Sequence, residues 1–283
     1  MLVTLNEVLK DAQKKNYAIG LFNTVNLEMA KAVIEAAEEK RSPIIIGSAE
    51  ILLSHCSIEE LSAMLLPMIH KAKIPIVLHY DHGLTAELIV KALRWGFSSV
   101  MYDCSRDSYS ENIRKCAEMV KIAKSFGAMV EGELGHVGSG NAGSIEGGNQ
   151  DTSIYTDPQQ AAEFVTKTGV DALAVAIGTA HGPYLTKPKL DIARLCEISE
   201  KVEIPLVLHG GSGLSDDDFR NCIKSGICKI NIFTDIDRAG LEAVKKASSE
   251  GSKYLTDILP FMMKGVKEAT LKKIELFGSS GKA

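Results

Sequence analysis

Three histidines carry the clearest chemical signal in this chain: His82, His181 and His209. Each closes or follows a short apolar run, IPIVLHYDH at 74–82, DALAVAIGTAH at 171–181 and IPLVLH at 204–209. Runs of this length with helical segments between them read as buried parallel strands. A parallel barrel gathers its functional groups at the C-terminal ends of its strands, so the three imidazoles can converge on one point. Three imidazoles around one centre suit a catalytic zinc ion with a fourth position open. Taken singly, each histidine reads as an ordinary satisfied core residue.

Asp81 directly precedes His82. A carboxylate there can exchange a proton with a hydroxyl or carbonyl oxygen of a metal-bound substrate. The alternative is that it only orients a ligand from behind. Asp103 and Glu133 fall at the ends of the fourth and fifth predicted strands, in SVMYDCS and MVEGELG. A carboxylate buried there without a partner is costly. A second metal position, an outer role around the metal, a salt bridge or a helix cap would each satisfy it.

Two further elements, HGGSG at 209–213 and NIFTD at 231–235, follow the seventh and eighth predicted strands. Barrels commonly bind phosphate there, through backbone N–H groups and a helix N-terminus. Glycine lets the backbone approach the anion, and Ser212 and Thr234 add hydroxyl donors. Gly182 sits beside His181. A divalent metal, an adjacent acid–base carboxylate and a phosphate cradle suit retro-aldol cleavage or isomerisation of a phosphorylated substrate.

The elements that must position these groups repeat as strand then helix. Strands are expected near 17–22, 43–47, 74–80, 97–102, 128–133, 171–177, 204–209 and 227–233. Amphipathic helical segments lie at 28–40, 85–95, 111–125, 158–168, 190–200 and 215–225. Thr85, Asp157 and Ser215 read as N-caps and Pro158 as a first helical residue. An extra helix at 4–14 precedes the first strand, and helices at 235–250 and 253–276 close the chain. The pattern predicts an α/β fold, a single (β/α)8 TIM barrel over residues 1–283 with extra terminal helices. An open doubly wound sheet is the competing architecture. The glycine-rich stretch 135–153 breaks the rhythm and reads as a lid over the histidine face or as a disordered segment.

The chain has 283 residues and a formal net charge of −4, with dispersed Lys and Arg, so nothing suggests a nucleic-acid surface. Its apolar runs are shorter than the roughly 18 residues of a membrane span. Six cysteines lack CxxC spacing, and the first residues lack the layout of a signal peptide. They read as reduced thiols in a cytoplasmic protein, mostly small buried hydrophobes.

The chain resembles the class II, metal-dependent ketose-bisphosphate aldolases of fructose- and tagatose-bisphosphate type. The likeness rests on YAIGLFN with Asn23, on HYDHG, VEGELG, AIGTAHGPY, LVLHGGSG, KINIFTD and the closing LFGSSGKA, in the family's order. It implies Zn2+ on His82, His181 and His209, with Asp103 and Glu133 matching positions that hold a second or displaced metal. It implies Asp81 as the proton donor and acceptor for the aldehyde-derived oxygen. Asn23, Gly182, Gly210, Gly211, Ser212, Asn231, Ile232, Phe233 and Thr234 fall in the substrate-binding motifs. The implied reaction is reversible cleavage of a ketose 1,6-bisphosphate, or a related ketose 1-phosphate, to dihydroxyacetone phosphate and an aldehyde through a zinc-stabilised enediolate. A monovalent cation near the phosphate, Na+ or K+, and a homodimer or homotetramer are also implied.

Departures from the family pattern cluster on the distal half of the substrate. Ala49 replaces a hydroxyl residue, and Phe233 stands where Asp, Asn or a small residue is usual. Ser252 replaces a frequent arginine, for which Arg238 is a candidate substitute. His136 replaces a common threonine, and Glu146 is the carboxylate left in the glycine-rich part of the lid. An acceptor without a strongly held phosphate, or of different stereochemistry, fits these changes. Two other functions compete: a zinc-dependent hydrolase on the same scaffold, and a non-catalytic partner subunit.

Overall fold

The computed structural model describes residues 1–139, 154–182 and 188–283. Eight parallel strands close into a barrel. They are β1 (Ile19–Asn23), β2 (Ile44–Ala49), β3 (Ile76–Gly83), β4 (Ser99–Tyr102), β5 (Met129–Leu134), β7 (Ala172–Val175), β9 (Leu206–Leu208) and β10 (Ile227–Ile232). The barrel closes through β1, which pairs with both β2 and β10. Outside it, β6 (Gly138–Ser139) pairs with β8 (Ala180–His181). The (β/α)8 expectation holds, and the open sheet is excluded by that closure.

The helices are α1 (Leu5–Lys15), α2 (Leu27–Lys40), α3 (Ile58–Lys71), α4 (Ala86–Arg94), α5 (Tyr109–Ser125), α6 (Pro158–Thr168), α7 (Ile192–Lys201), α8 (Asp216–Lys224), α9 (Thr234–Ser249) and α10 (Leu255–Phe277). The expected caps form: Thr85, Asp157 and Ser215 accept from the amides of Leu88, Gln160 and Asp218. No helix between β2 and β3 is among the expected segments, yet α3 forms there. Its signals are the Ser57/Glu60 capping box and the buried stripe of Ile58, Leu61, Leu65 and Ile69, which together outweigh Pro67 inside the helix.

Side-chain alternation divides the barrel into layers. Outward residues such as Ile44, Ile46, Ile76 and Leu78 pack under the helices. The lower lumen is apolar: Leu21, Ile45, Val77, Ala172, Ala174 and Val207 meet Leu5, Val8, Leu9 and Ala12 of α1. Helix α1 therefore seals the N-terminal end of the barrel. Above that layer the lumen turns polar, and His79, Asp81, Glu131, Glu133, Lys229 and Asn231 are all buried. No helix among the described residues is long and apolar enough to cross a membrane.

Candidate active site

Residues in sequence on a strand face opposite sides, so Asp81 and His82 should not share a site. The local backbone resolves this. The register against β4 slips between Tyr80 and Gly83, which leaves one extra residue on β3. This is the geometry of a β-bulge, a device that re-aims side chains beside active sites. His82 takes a left-handed conformation at φ 43°. A non-glycine residue held there costs on the order of 1–3 kcal/mol. Both side chains thereby address the C-terminal mouth.

The three histidines converge as expected. Ring centroids of His82 lie 4.8 Å from His181 and 4.5 Å from His209. One ligand atom from each of the three lies within 4.8 Å of the others. Asp103 and Glu133 form a second such group with His82. Asp103 accepts from His82 Nδ1 at 2.9 Å, so His82 turns Nε2 toward the centre. Glu131 accepts from His209 Nε2 at 2.8 Å, which turns His209 Nδ1 the same way. These two inward nitrogens lie 2.7 Å apart. His181 Nε2 and Glu133 Oε2 are buried without a hydrogen-bond partner among the described residues.

The electrostatics call for a cation at this point. Burial opposes charge on His82, but Asp81, Asp103 and Glu133 outweigh it and raise its pKa to about 9. Burial, then the charges on His82 and His209, lower His181 to about 3. Burial, reinforced by Asp103, pushes Glu133 up to about 8. Two facing imidazole nitrogens, an orphaned imidazole nitrogen and an orphaned carboxylate oxygen fit a divalent metal that replaces the His82 proton.

Asp81 lies beside this centre and is buried. Asn23 donates to one of its oxygens at 2.8 Å and Asn231 to the other at 2.9 Å. Burial opposes its ionisation, but His82, His209 and Lys229 hold the carboxyl well below its usual range. It is a fixed carboxylate with both oxygens presented as acceptors.

A cavity of about 380 Å³ opens above the centre. Asp81, His82, His181, Asp103 and Glu133 line it, as do Asn23, Gly182, Gly210, Gly211, Ser212, Asn231, Ile232, Phe233 and Thr234. His209 is not in the lining; it is fully buried beneath. Gly210 has φ 65°, and a Cβ there would sit 2.4 Å from the Ala180 carbonyl oxygen, so glycine is required. Phe233 ends the eighth barrel strand rather than extending it, and caps α9 without a side-chain hydrogen bond. Ser212 Oγ accepts from the Asp235 amide at the start of α9. The N-terminus of α9 thus lies against the glycine loop, the kind of helix end that can receive an anion.

Sequence reasoning missed several groups here. Ile51, Leu52, Leu84 and Arg106 also line the cavity. His79, Glu131 and Lys229 lie fully buried in the lumen below it. Glu131 and Lys229 were legible from alternation, since each lies two residues before a named site residue, Glu133 or Asn231. Arg238 is exposed on α9 and does not line the cavity. His136 does, with Nδ1 3.3 Å from Ser105 Oγ. Glu146 and most of the expected lid lie outside the described residues.

Residues 3–282 match the family described as fructose-bisphosphate aldolase class-II. The chain belongs to the class II fructose-bisphosphate aldolase family and is an enzyme of the aldolase class. It is 43% identical over 285 residues to the uncharacterized protein YdjI of Escherichia coli K12, covering 100% of both chains. It is 36% identical over 291 residues to a probable fructose-bisphosphate aldolase of Bacillus subtilis 168, covering 100% of this chain and 99% of that one. Among solved structures, the YdjI aldolase from E. coli K12 superposes with a TM-score of 0.90 at 41% identity, over 100% of both chains. A putative fructose-1,6-biphosphate aldolase from Coccidioides immitis superposes with a TM-score of 0.87 at 31% identity, over 98% of this chain and 97% of that one.

Proposed function

We propose that this enzyme reversibly cleaves a ketose 1-phosphate, with or without a second phosphate, to dihydroxyacetone phosphate and an aldehyde. The observation that carries this reading is the fixed Asp81 carboxylate beside three convergent imidazoles, under a cavity walled by a glycine loop and a helix N-terminus. His82, His181 and His209 would hold Zn2+, with Asp103 and Glu133 as candidates for a second or displaced position. Bound there, zinc supplies Lewis-acid polarisation of the ketose carbonyl and stabilises the negative charge left after carbon–carbon cleavage.

The chain's own residues supply the rest. Gly182, Gly210, Gly211 and Ser212, with Asn231 and Thr234, receive the phosphate of the dihydroxyacetone half. Asp81 accepts the proton of the C4 hydroxyl as the C3–C4 bond breaks, and returns it in the synthetic direction. Asn23 and Asn231 keep both of its oxygens facing the proton to be moved. No lysine lines the cavity among the described residues, which fits a route without a Schiff base.

The distal wall supports an acceptor that is not held by a phosphate cradle. Ala49, Ile51, Leu52, Leu84 and Phe233 line it, and Arg106 is the one Lys or Arg in the lining among the described residues. A monovalent cation beside the bound phosphate, a cytoplasmic location and a homodimer or homotetramer complete the proposal. The test is release of dihydroxyacetone phosphate from zinc-loaded protein, with and without EDTA. Fructose 1,6-bisphosphate, tagatose 1,6-bisphosphate and several ketose 1-phosphates form the panel. EDTA-sensitive release supports the reading, and no release from the whole panel overturns it.

A further inference from the structure

We infer that Lys229, buried beneath the site and outside the cavity lining, is a positioning residue that sets the hydrogen-bond direction of both the metal-ligand nitrogen of His209 and the Asp81 carboxylate. The inference rests on the metal and acid–base roles proposed above.

Lys229 is fully buried in the barrel lumen. Its Nζ lies 2.8 Å from Glu131 Oε2 and donates to Asn231 Oδ1, also at 2.8 Å. An ammonium can only donate, and an ionised carboxylate can only accept. The remaining lumen group facing this pair is His79, whose Nε2 lies 3.9 Å from both Glu131 Oε2 and Asp81 Oδ1. The Nδ1 atom of His79 is engaged with Ser99 Oγ at 2.7 Å.

Two arms leave the ammonium. In the first, Asn231 must present its oxygen downward to Lys229. Its Nδ2 then points up and donates to Asp81 Oδ1 at 2.9 Å. The two ends of an amide have nearly the same shape, so packing alone does not choose between them. A flipped Asn231 would set its oxygen against the Asp81 carboxylate and its N–H groups against the ammonium. Lys229 removes that alternative. In the second arm, Glu131 is held as an acceptor-only carboxylate, and its Oε1 takes the Nε2–H of His209 at 2.8 Å. The Nδ1 lone pair of His209 is left facing the centre.

A buried ion pair is poor evidence for stability, because apolar residues of equal volume often pack as well or better. What apolar residues cannot supply is this polarity. Lys229 touches neither the cavity nor the proposed metal position; beyond the pull of its charge on Asp81, it acts through Asn231 and Glu131.

The test uses Lys229→Met, Glu131→Gln and the double variant, each checked for native circular dichroism. Two readouts are independent of each other. One is Co2+ binding to the metal-free protein, by affinity and visible absorption band. The other is kcat and KM for triose phosphate release from whichever ketose phosphate the wild type cleaves. Lys229→Met is expected to weaken Co2+ binding by about 10–100-fold, as loss of an outer partner of a metal-bound histidine does. It should shift the Co2+ band and lower kcat more than it changes KM.

Glu131→Gln should also weaken Co2+ binding, because a carboxamide cannot both accept from His209 and serve as the anion paired with Lys229. In the double variant the carboxamide oxygen is free for His209. Co2+ affinity should return toward wild type while kcat stays low, because Asn231 is still unfixed. A merely structural role would give the double variant the summed losses of the singles, and that result overturns the inference. Wild-type Co2+ affinity, band and kcat in folded Lys229→Met also overturn it. If Lys229→Met does not fold, Co2+ affinity recovered in the double variant over Glu131→Gln supports the inference, and no recovery overturns it. A wild type that binds Co2+ but releases no triose phosphate would sink the aldolase reading alone, with the Co2+ comparison still deciding the role of Lys229.

Discussion

His82 Nδ1 and Asp103 Oδ2 lie 2.9 Å apart, so a carboxylate just beyond β4 decides which nitrogen of a β3 histidine faces the site. The same carboxylate also accepts from the backbone and hydroxyl of Ser105. Asp103 is therefore locked on one oxygen and orients a proposed metal ligand with the other. Replacing it by alanine should lower Zn2+ affinity by about 10–100-fold with the fold intact. Competition with a chromogenic chelator measures this, and unchanged affinity would remove Asp103 from the metal's surroundings.

Asp81→Asn keeps the shape of the side chain but no longer presents two acceptors to Asn23 and Asn231. It should retain its full zinc stoichiometry and lose about 10²–10⁴-fold in kcat, the usual range for a general acid–base group. Metal analysis beside a steady-state assay separates the two effects. Wild-type turnover would refute the proton-transfer role.

The metal-free protein should be most stable near pH 6–7. His79 and His181 have pKa values lowered to about 3, and His209 is lowered too. Below the ordinary histidine value near 6.5 the unfolded chain binds more protons at these sites, so stability rises with pH up to that value. His82 and Glu133 are shifted the other way, to about 9 and about 8. Their folded forms hold more protons than the unfolded chain, so stability falls as pH rises through 8 and 9. Thermal melts of EDTA-treated protein across pH 4 to 10 test the shape. A melting temperature still climbing from pH 7 to 9 would contradict it.

Zinc should reverse the alkaline limb of that profile. A metal that binds only the folded state adds about 2.7 kcal/mol at 100 times its Kd. It also displaces the proton that His82 otherwise holds, so affinity should rise with pH up to about 9. Calorimetry at several pH values reads both effects, and pH-independent affinity would argue against His82 as a ligand.

Gly210→Ala forces a Cβ to within 2.4 Å of the Ala180 carbonyl oxygen, at a backbone φ of 65°. The local strain is of order 1–3 kcal/mol. It should appear as a lower melting temperature and as weaker binding of inorganic phosphate. Unchanged phosphate affinity would take the glycine loop out of the proposed cradle.

The barrel was legible because its strands are continuous apolar runs and several of its helices announce themselves by caps. Helix α3 escaped although Ile58, Leu61, Leu65 and Ile69 form its buried stripe, because Pro67 interrupts the run that carries it. The histidines, Asp81 and the glycine loop were legible as residue types at strand ends. How Asp81 and His82, adjacent on one strand, reach the same site was not. That depends on a bulge and a left-handed residue, which no two-residue periodicity encodes. Alternation places Lys229 and Glu131 in the lumen, but not their pairing: an inward charge on a strand has no reading until its partner on a distant strand lies beside it.

Helix α1 closes the far end of the barrel, and His209 lies fully buried behind the cavity lining rather than in it. Among the described residues, the site is closed below by the apolar lower lumen and opens at the C-terminal mouth. Whatever enters last stands between the floor and the solvent. An ion held by His209 could then be exchanged only when the sugar is out, and saturating substrate should shield the protein from a chelator. Catalysis and loss of the metal would compete for the same doorway, so a working enzyme would keep its ion longer than an idle one.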